Sequence, residues 1–535
     1  MKSDQDLYKR LRDLPKEELW SSEVARFNAA TPRERMGGVA VIRAVGMIFS
    51  RFGTEEEKGE VRTWLIGLLK DPQEKIRRYA VAALPKIGAG ENGEREMLAL
   101  LKTEDREKGE HGDREKKHLG RALEKVGGRA TLSVMEEGIA LPAMTMQKVM
   151  ASVSRRDDSG GVMLDATIPV EEGMRVLLRC RKGLEEIVRD EAREILSPAA
   201  WRIEKTDPGH VTLRPTGDFS LADLYRLRCF ATVAFPLGSL AEGSGENWEE
   251  SLAQCIASRK VRGIMLAATK GAARYRLDFQ GRGHQRGAIR NVVDRAFALS
   301  PEVLNDARQA PWSVDVIPTG RKDLGKEAVE LRPRLYPDPR LFYRQDDVAA
   351  ASHPPLAACM ARLAGIEKEG GEEVIWDPFC GSGLELIERT LRGGVSRAIG
   401  TDLDARAIAV ARANFEAAAL APAKAEFTES DFRNAPITPG SVSLIITNPP
   451  LGRRVRIKDM QGLFSDLHTA SAQALRAGGR LVFVNPLRTE PSDPSLKLEY
   501  RKSIDLGGFT CRLEMYRKTV PKRPAKSGAW EKFRK

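Results

Sequence analysis

The stretch "VIWDPFCGSG", Val374–Gly383, is the most informative sequence in the C-terminal part of this chain. An apolar run leads into Asp377, and the proline that follows ends the strand because its nitrogen carries no hydrogen for the ladder. Gly381 and Gly383 come next, with Phe379 beside them, at the expected start of a helix. Glycines there let backbone N–H groups meet a carboxylate or a phosphate. The stretch therefore predicts a strand, a ligand-binding turn and a helix.

Strands and helices alternate at short spacing from Val374 onward. The predicted strands are "VIWDPF", "SRAIGTDL", "KAEFTE", "SVSLIITN", "GRLVFVN" and "FTCRLEMYR". Strands that alternate with helical patterns favour a parallel sheet with helices on both faces. We therefore predict a doubly wound, Rossmann-like α/β domain over residues 330–520, followed by a basic tail at 521–535.

Two further strand ends carry carboxylates. "IGTDLD" places Asp402 about twenty residues after the first glycine, where a carboxylate accepts both ribose hydroxyls of a nucleotide-like cofactor. Asp404 is the more natural cap for the helix that follows. "TESDF" places Asp431 where it could accept an adenine amino group, with Phe432 against the ring. Nicotinamide cofactors and S-adenosylmethionine both use this arrangement, so these residues leave both cofactors open.

The corner "NPPLG", Asn448–Gly452, separates the two cofactors. A hydride-transfer enzyme has no use for it, whereas a methyltransferase acting on an exocyclic amine does. The Asn448 side-chain oxygen and the Pro449 carbonyl can each accept one amine hydrogen, and Pro450 and Leu451 complete the corner. Catalysis would then rest on positioning and electrostatics, and the target base must first leave its stack. The alternative is that the prolines only end a strand.

Together these motifs resemble the THUMP-domain RNA guanine-N2 methyltransferases. The resemblance covers roughly Met174–Val520 and rests on "YRQDDVAAASHPPLAACMARLAG", "DPFCGSG", "IGTDLDARAIAVARANF", "SDF" and "NPPLGRR", with looser support from "RCRKGLEEIVRDEA" and "YRLDFQGRGHQRGAIRNVVDRAF". It implies a ferredoxin-like and THUMP region at 170–320. It also implies S-adenosylmethionine as cofactor, bound through the residues named above. In this family an aromatic residue usually follows Asn-Pro-Pro and stacks on the base, but this chain has Leu451.

The first 154 residues have the pattern of helices. Thr54 and Glu57 form a capping-box pattern, and "IFSRFG", "ALPKIG" and "ALEKVG" recur at spacings of 35 and 39 residues. Paired helices with a period near 40 resemble HEAT repeats, which offer a concave surface to RNA or to a protein partner. An ordinary helical bundle is the alternative. The polar stretch "RRDDSGG", residues 155–161, has the composition of a linker.

Composition favours a polyanionic partner and a reducing compartment. The 535 residues carry a formal net charge of +12. The first thirty residues do not resemble a signal peptide, and no apolar run has the length of a membrane span. The six cysteines are scattered, which disfavours a metal site and a disulfide framework and fits a cytoplasmic protein.

Basic residues beside glycines are the candidate RNA contacts. The loop "QGRGHQRGAIR" combines cations with a backbone that can approach phosphate closely, although a solvated loop is the alternative. The two arginines after the Asn-Pro-Pro corner are further candidates. The predicted RNA-binding residues are Arg282, His284, Arg286, Arg290, Arg453 and Arg454.

The sequence thus predicts an S-adenosylmethionine-dependent RNA methyltransferase that forms N2-methylguanosine. The resemblance favours tRNA, because THUMP modules in that family typically read the acceptor end of tRNA. Large-subunit ribosomal RNA is an alternative substrate. Adenine-N6 methylation is less favoured, because the THUMP-like segment points to folded RNA. A catalytically inactive RNA-binding scaffold is the alternative from a different class.

Overall fold

The computed structural model describes residues 2–106, 110–137, 143–158, 160–240, 248–281, 286–319, 327–349, 351–366, 372–420, 423–452, 457–488, 490–491 and 493–519. Two compact units make up the chain, one from Met1–Met163 and Leu237–Arg334, the other from Leu164–Pro236 and Leu335–Lys535. The domain boundaries expected from sequence stay predictions. No helix in the described ranges has both the length and the apolar character needed to cross a membrane.

Helices form the beginning of the first unit, which confirms the predicted helical region. The capping box is present: the Thr54 hydroxyl accepts from the Glu57 N–H, and the Glu57 carboxylate accepts from the Thr54 N–H. The helical segments are Lys2–Arg12, Lys16–Glu18, Leu19–Val24 (a π-helix), Ala25–Ala29, Pro32–Arg35, Val39–Phe52, Glu55–Leu68, Glu74–Ile87, Gly90–Arg106, Glu110–Val126, Arg129–Glu136 and Ala143–Asp157.

The last of these helices corrects the linker prediction. Ala143–Asp157 runs into the polar stretch, and Arg155 pairs with buried Asp306 at 2.7 Å. The ion pair anchors the helix end to the second half of the unit. That half contains the helices Trp248–Ile256, Arg259–Ala267 and Arg286–Leu299, and the strands Thr269–Lys270, Arg274–Phe279, Leu304–Asn305, Trp312–Pro318 and Glu327–Pro333, with Gly161–Val162 paired to Thr269–Lys270.

The second unit begins with a small antiparallel arrangement. Val176–Arg179 pairs with His210–Pro215 on one side and with Thr232–Leu240 on the other, and Trp201–Asp207 pairs with His210–Pro215. The helix Glu185–Ile195 packs on these strands. The remaining short elements are Thr167–Ile168, Phe219–Ser220 and Leu221–Leu224.

A seven-stranded sheet forms the main layer of the second unit. Its strands are β1 (Glu373–Asp377), β2 (Val395–Asp402), β3 (Lys424–Glu429), β4 (Val442–Thr447), β5 (Leu475–Asn485), β6 (Leu496–Asp505) and β7 (Thr510–Lys518). They lie in the order β3-β2-β1-β4-β5-β7-β6. The strand order reverses between β1 and β4, so a crevice opens where their carboxyl ends lie side by side.

The sheet is mixed, which corrects the prediction of a parallel one. Strands β1 to β5 are parallel, but β7 runs antiparallel to β5, and β6 antiparallel to β7. β6 was not predicted, because "LKLEYRKSID" is largely exposed at the sheet edge and lacks an apolar run. β4, by contrast, is buried along its whole length, as a central parallel strand must be.

Helices cover the sheet and begin at the strand ends that matter for the site. They are α1 (Pro354–Ala364), α2 (Leu384–Thr390), α3 (Ala405–Ala417) and α4 (Met460–Ala474), with short 3₁₀ turns at Pro339–Leu341 and Phe432–Asn434. Asp404 caps α3 by accepting from the Arg406 N–H, as predicted.

Candidate active site

Asp377 lies at the carboxyl end of β1 and is fully buried. Its Oδ1 accepts from the Phe379 N–H at 3.0 Å, while buried Oδ2 makes no hydrogen bond of normal geometry with the described residues. Burial raises the pKa of this carboxyl, and the nearby Glu385 carboxylate raises it further. The Thr447 side chain is nevertheless near enough to lower the pKa of this carboxyl. A buried carboxylate with a free oxygen is suited to a cationic ligand group that restores the lost solvation.

The glycine turn joins the first two predicted cofactor motifs. The Gly381 N–H donates to Asp402 Oδ2 at 2.9 Å, and the Asp404 N–H donates to Asp402 Oδ1 at 3.0 Å. Gly383 caps α2 with a φ of +82°, a backbone conformation that favours glycine. A Cβ at this position would also lie 3.3 Å from the Ala411 side chain. The bond from the Gly381 N–H to Asp402 thus holds the turn against the end of β2.

Asp431 and Phe432, which form the third predicted cofactor motif, make their main contacts within the protein. Asp431 caps the 3₁₀ turn and forms an ion pair with Arg433 at 2.9 Å. Phe432 is only 5% exposed, and its ring centroid lies 4.9 Å from that of half-buried Phe379. The structure therefore brings both phenylalanines together beside the turn. Their roles toward an adenine ring, like that of Asp431, stay predictions.

The Asn-Pro-Pro corner leaves β4 at the edge where β1 also ends. Pro449 is buried, and Pro450 and Leu451 are half-buried. Asn448 Nδ2 donates to Ser352 Oγ at 2.8 Å, whereas its Oδ1 is buried without a partner in the described part of the chain. An amide oxygen in this state costs free energy until a donor reaches it. The corner therefore presents one strong, unused acceptor.

Two side chains that the sequence interpretation missed support this corner. Ser352 precedes α1, and its Oγ lies 2.5 Å from Glu385 Oε1. Glu385 is 3% exposed, and burial raises its pKa to about 7. Glu385 resembles an ordinary acidic residue in the first turn of a helix, so its sequence position carries little signal. Its apolar neighbours in "GLELI" are the one hint that this side of α2 is buried.

Phe464, thirteen residues after Leu451, is the aromatic residue nearest downstream of the corner, but it does not replace the missing stacking ring. That side chain is 1% exposed and packs in the core, with its ring centroid 6.1 Å from that of Phe483. Phe379 is the ring that the structure places beside the glycine turn. Gly452 follows Leu451 with a φ of +77° and ends the corner.

The predicted RNA contacts are only partly described. Arg282, His284, Arg453 and Arg454 lie outside the described residues, as does the tail at 521–535. Arg286 is the first residue of the helix Arg286–Leu299, and Arg290 is exposed on that helix in the first unit.

Sequence comparison identifies the type of domain that contains this site. Residues 342–494 match a family model described as "RMKL-like, methyltransferase domain", which confirms the predicted methyltransferase domain in this part of the chain. A tRNA (guanine(10)-N2)-dimethyltransferase from Methanothermobacter thermautotrophicus is 29% identical over 189 residues, covering 31% of this chain and 54% of that protein. The chain thus spans about half the length of this curated relative.

Solved structures also resemble the chain. TrmN from Thermus thermophilus is 21% identical with a TM-score of 0.48, over 64% of this chain and 99% of TrmN. SMU.472, a structure complexed with SAH, is 13% identical with a TM-score of 0.47, over 67% of this chain and 100% of its own.

Proposed function

We propose that this protein is an S-adenosylmethionine-dependent RNA methyltransferase that forms N2-methylguanosine, with tRNA as the favoured substrate. The observation that carries the proposal is the buried Oδ1 of Asn448 just after β4, which has no hydrogen-bond partner among the residues that the structure describes. The methyltransferase family match over residues 342–494 and the relative named as a tRNA guanine-N2 dimethyltransferase support it.

The residues at the ends of β1 and β2 fit the proposed cofactor. Oδ2 of Asp377, which has no hydrogen bond among the described residues, suits the methionine ammonium group. The adjoining carboxylate would lie at the turn of Gly381 and Gly383, whose own N–H groups donate to Asp402 and to the Cys380 carbonyl. Asp402 would accept from the ribose hydroxyls, since each of its oxygens takes only one bond within this loop. When bound, S-adenosylmethionine supplies an electrophilic methyl group on a positively charged sulfur.

The corner orients the acceptor amine. The amino nitrogen of guanine shares its lone pair with the ring, so its two hydrogens must be held before the nitrogen can face an electrophile. Asn448 Oδ1 and the Pro449 carbonyl can each accept one of those hydrogens. Both residues are held at the end of a fully buried strand, so little reorganisation is needed at the moment of reaction.

RNA recognition is proposed for the parts of the chain outside the methyltransferase domain. Residues 170–320 would form the ferredoxin-like and THUMP region, and residues 1–154 a HEAT-like surface for RNA or a protein partner. The net charge of +12 and the successive helices of the first unit support this assignment. The RNA contacts would come from Arg282, His284, Arg286, Arg290, Arg453 and Arg454. A cytoplasmic location belongs to the same proposal.

Mass spectrometry of nucleosides from cells with and without the gene tests this function. We expect loss of N2-methylguanosine from the tRNA fraction of cells without the gene, and an unchanged ribosomal RNA fraction. Loss from ribosomal RNA alone would transfer the proposal to the other substrate. Unchanged N2-methylguanosine in both fractions would contradict it.

A further inference from the structure

Ser352 and Glu385 have no role in the proposed reaction, yet they are joined by hydrogen bonds to the Nδ2 end of the Asn448 amide. Ser352 precedes α1, and Glu385 lies in the first turn of α2. Asn448 Nδ2 donates to Ser352 Oγ at 2.8 Å, and Ser352 Oγ is 2.5 Å from Glu385 Oε1. Glu385 is 3% exposed, so water competes little for its bond. Three separate elements thus contribute to one chain of hydrogen bonds that ends on a carboxylate.

An ionised Glu385 determines which group donates in each of these two hydrogen bonds. A carboxylate can only accept, so Ser352 must donate its single hydroxyl hydrogen to Glu385. The Ser352 oxygen then has only lone pairs to offer and needs a donor on its other side. Of the two ends of the Asn448 amide, only Nδ2 is a donor. The carboxylate therefore selects, through the serine, which end of the amide faces away from the corner.

The opposite orientation of the Asn448 amide would prevent the corner from binding the acceptor amine. Asn448 Oδ1 would then meet a Ser352 oxygen that has no hydrogen left to give, so two acceptors would face each other. The Nδ2 group would meanwhile point toward the amine, placing donor against donor. Amide rotation exchanges these two arrangements without moving the backbone, so packing alone does not distinguish them.

We infer that Ser352 and Glu385 are positioning residues that orient the Asn448 amide, so that its oxygen faces the methyl-accepting amine. This inference rests on the proposed function of Asn448. It assigns to both residues an effect on the rate of transfer, since the acceptor oxygen is needed for the chemical step more than for holding the cofactor.

The charge on Glu385 should make this orientation depend on pH. The groups near it are Asp377 at the end of β1, Cys380 in the glycine turn and Glu388 one turn further along α2. None of these is cationic, and burial raises the pKa of Glu385 to about 7. When protonated, Glu385 can donate to Ser352. The serine can then donate to Asn448, so its hydrogen bond no longer selects the Nδ2 end of the amide.

The basic residue of the neighbouring helix α1 does not offset this effect. Arg362 instead bonds Glu194 on the helix Glu185–Ile195. His353, which caps α1, has its pKa lowered to about 4 by burial and by the nearby Arg181, so it is neutral at the relevant pH. Ionisation of Glu385 is thus the titration that should control the amide.

The first test compares Ser352→Ala and Glu385→Gln with wild type in methyl transfer to RNA. We expect kcat to fall about tenfold in each, with KM for RNA and the Kd of the cofactor within about threefold of wild type. Wild-type kcat should fall as the pH drops through about 7, and this limb should be absent from Glu385→Gln. Ser352→Thr keeps the hydroxyl and should stay close to wild type.

A matched control is Ser396→Ala, which removes a hydroxyl that contacts the Glu373 carbonyl at the opposite end of β1. It should leave kcat and its pH profile unchanged. A second readout needs no turnover: the Asn448 side-chain amide signals in protein labelled with ¹⁵N-asparagine, assigned by their loss in Asn448→Ala. Their chemical shifts should change with a midpoint near pH 7 in wild type but not in Glu385→Gln. In Ser352→Ala the chemical shifts should differ from those of wild type.

The outcomes separate this inference from the proposed function. Absence of methyl transfer by wild type would overturn the proposed function and this inference with it. Transfer by wild type with unchanged kcat in both Ser352→Ala and Glu385→Gln would overturn the inference alone. So would amide signals of Asn448 that do not respond to pH or to either substitution.

Discussion

At the scale of single residues, the candidate site depends on polar atoms that the fold leaves without partners. Asp377 Oδ2 and Asn448 Oδ1 are both buried and unpaired among the described residues, at the ends of adjacent strands. Each such atom costs free energy until a donor reaches it. In the proposed function, Asp377 Oδ2 would accept from the cofactor's ammonium group and Asn448 Oδ1 from the acceptor amine.

Asp402 gives the most direct residue-level prediction for the cofactor. Asp402→Ala should weaken S-adenosylmethionine binding tenfold or more, because roughly 1.5–3 kcal/mol is typical for each hydrogen bond to a charged group. Calorimetry measures this, with Asp404→Ala as control. That variant removes the α3 cap two residues away and should keep the affinity within about threefold, although it lowers stability by about 1 kcal/mol. Equal affinity in wild type and Asp402→Ala would exclude the ribose role.

Substitutions of Leu451 test whether an apolar side chain is enough to hold the target base, where related enzymes usually have an aromatic ring. Stacking on an aromatic ring contributes roughly 1–3 kcal/mol, and leucine offers contact without a flat face. Leu451→Tyr should keep the transfer rate within about tenfold, which corresponds to 1.4 kcal/mol. Leu451→Gly removes both contact and rigidity and should lower the rate further. A Leu451→Gly rate equal to that of wild type would show that this residue does not touch the acceptor base.

At the scale of elements, sequence predicts every strand of the seven-stranded sheet except the edge strand β6. β1 and β4 are apolar runs that end in polar corners, so sequence predicts both the strands and the residues at their ends. β6 has no such run and was missed. The contact of Ser352 with Glu385 joins residues 33 positions apart in different elements, and no local pattern indicates it.

The burial of Glu385 on α2 predicts that the free energy of unfolding depends on pH. Glu385 has a pKa raised to about 7 from 4.5, so between these values the folded protein holds a proton that the unfolded chain has lost. Stability therefore falls as the pH rises through this window, by about 1.4 kcal/mol per pH unit, and then levels off. Glu385→Gln should lack this contribution. Denaturant unfolding of both proteins at about pH 5 and pH 8 measures it, and a pH-independent difference would contradict the burial of an ionisable Glu385.

At the scale of the whole molecule, sequence separates the types of structure but does not show which segments pack together. Arg228, from the small antiparallel arrangement, bonds buried Glu388 on α2 through two hydrogen bonds of 2.7 and 2.8 Å. Tyr343 donates to the same carboxylate at 2.6 Å. The bonds of Arg228 and Tyr343 to Glu388 join residues 160 and 45 positions apart, so the composition shifts that suggest boundaries give no sign of them.

The basic character of the whole chain predicts a strongly salt-dependent affinity for RNA. Each phosphate contact releases counterions, so log Kd should rise linearly with log salt concentration. Arg290→Ala should lower the slope by about one if that exposed arginine contacts phosphate. Arg397→Ala is the control, because Glu426 already neutralises that exposed arginine at 2.6 Å. Filter binding at several salt concentrations measures the slope, and equal slopes for all three proteins would remove Arg290 from the RNA contacts.

The identity of the nucleoside that this protein methylates distinguishes guanine-N2 transfer from every alternative reaction. Purified protein is incubated with methyl-tritiated S-adenosylmethionine and tRNA, and the digested nucleosides are resolved. We expect label in N2-methylguanosine, and loss of that label in Asn448→Ala with cofactor affinity retained within about threefold. Label found mainly in N6-methyladenosine, or transfer by Asn448→Ala at the wild-type rate, would contradict it.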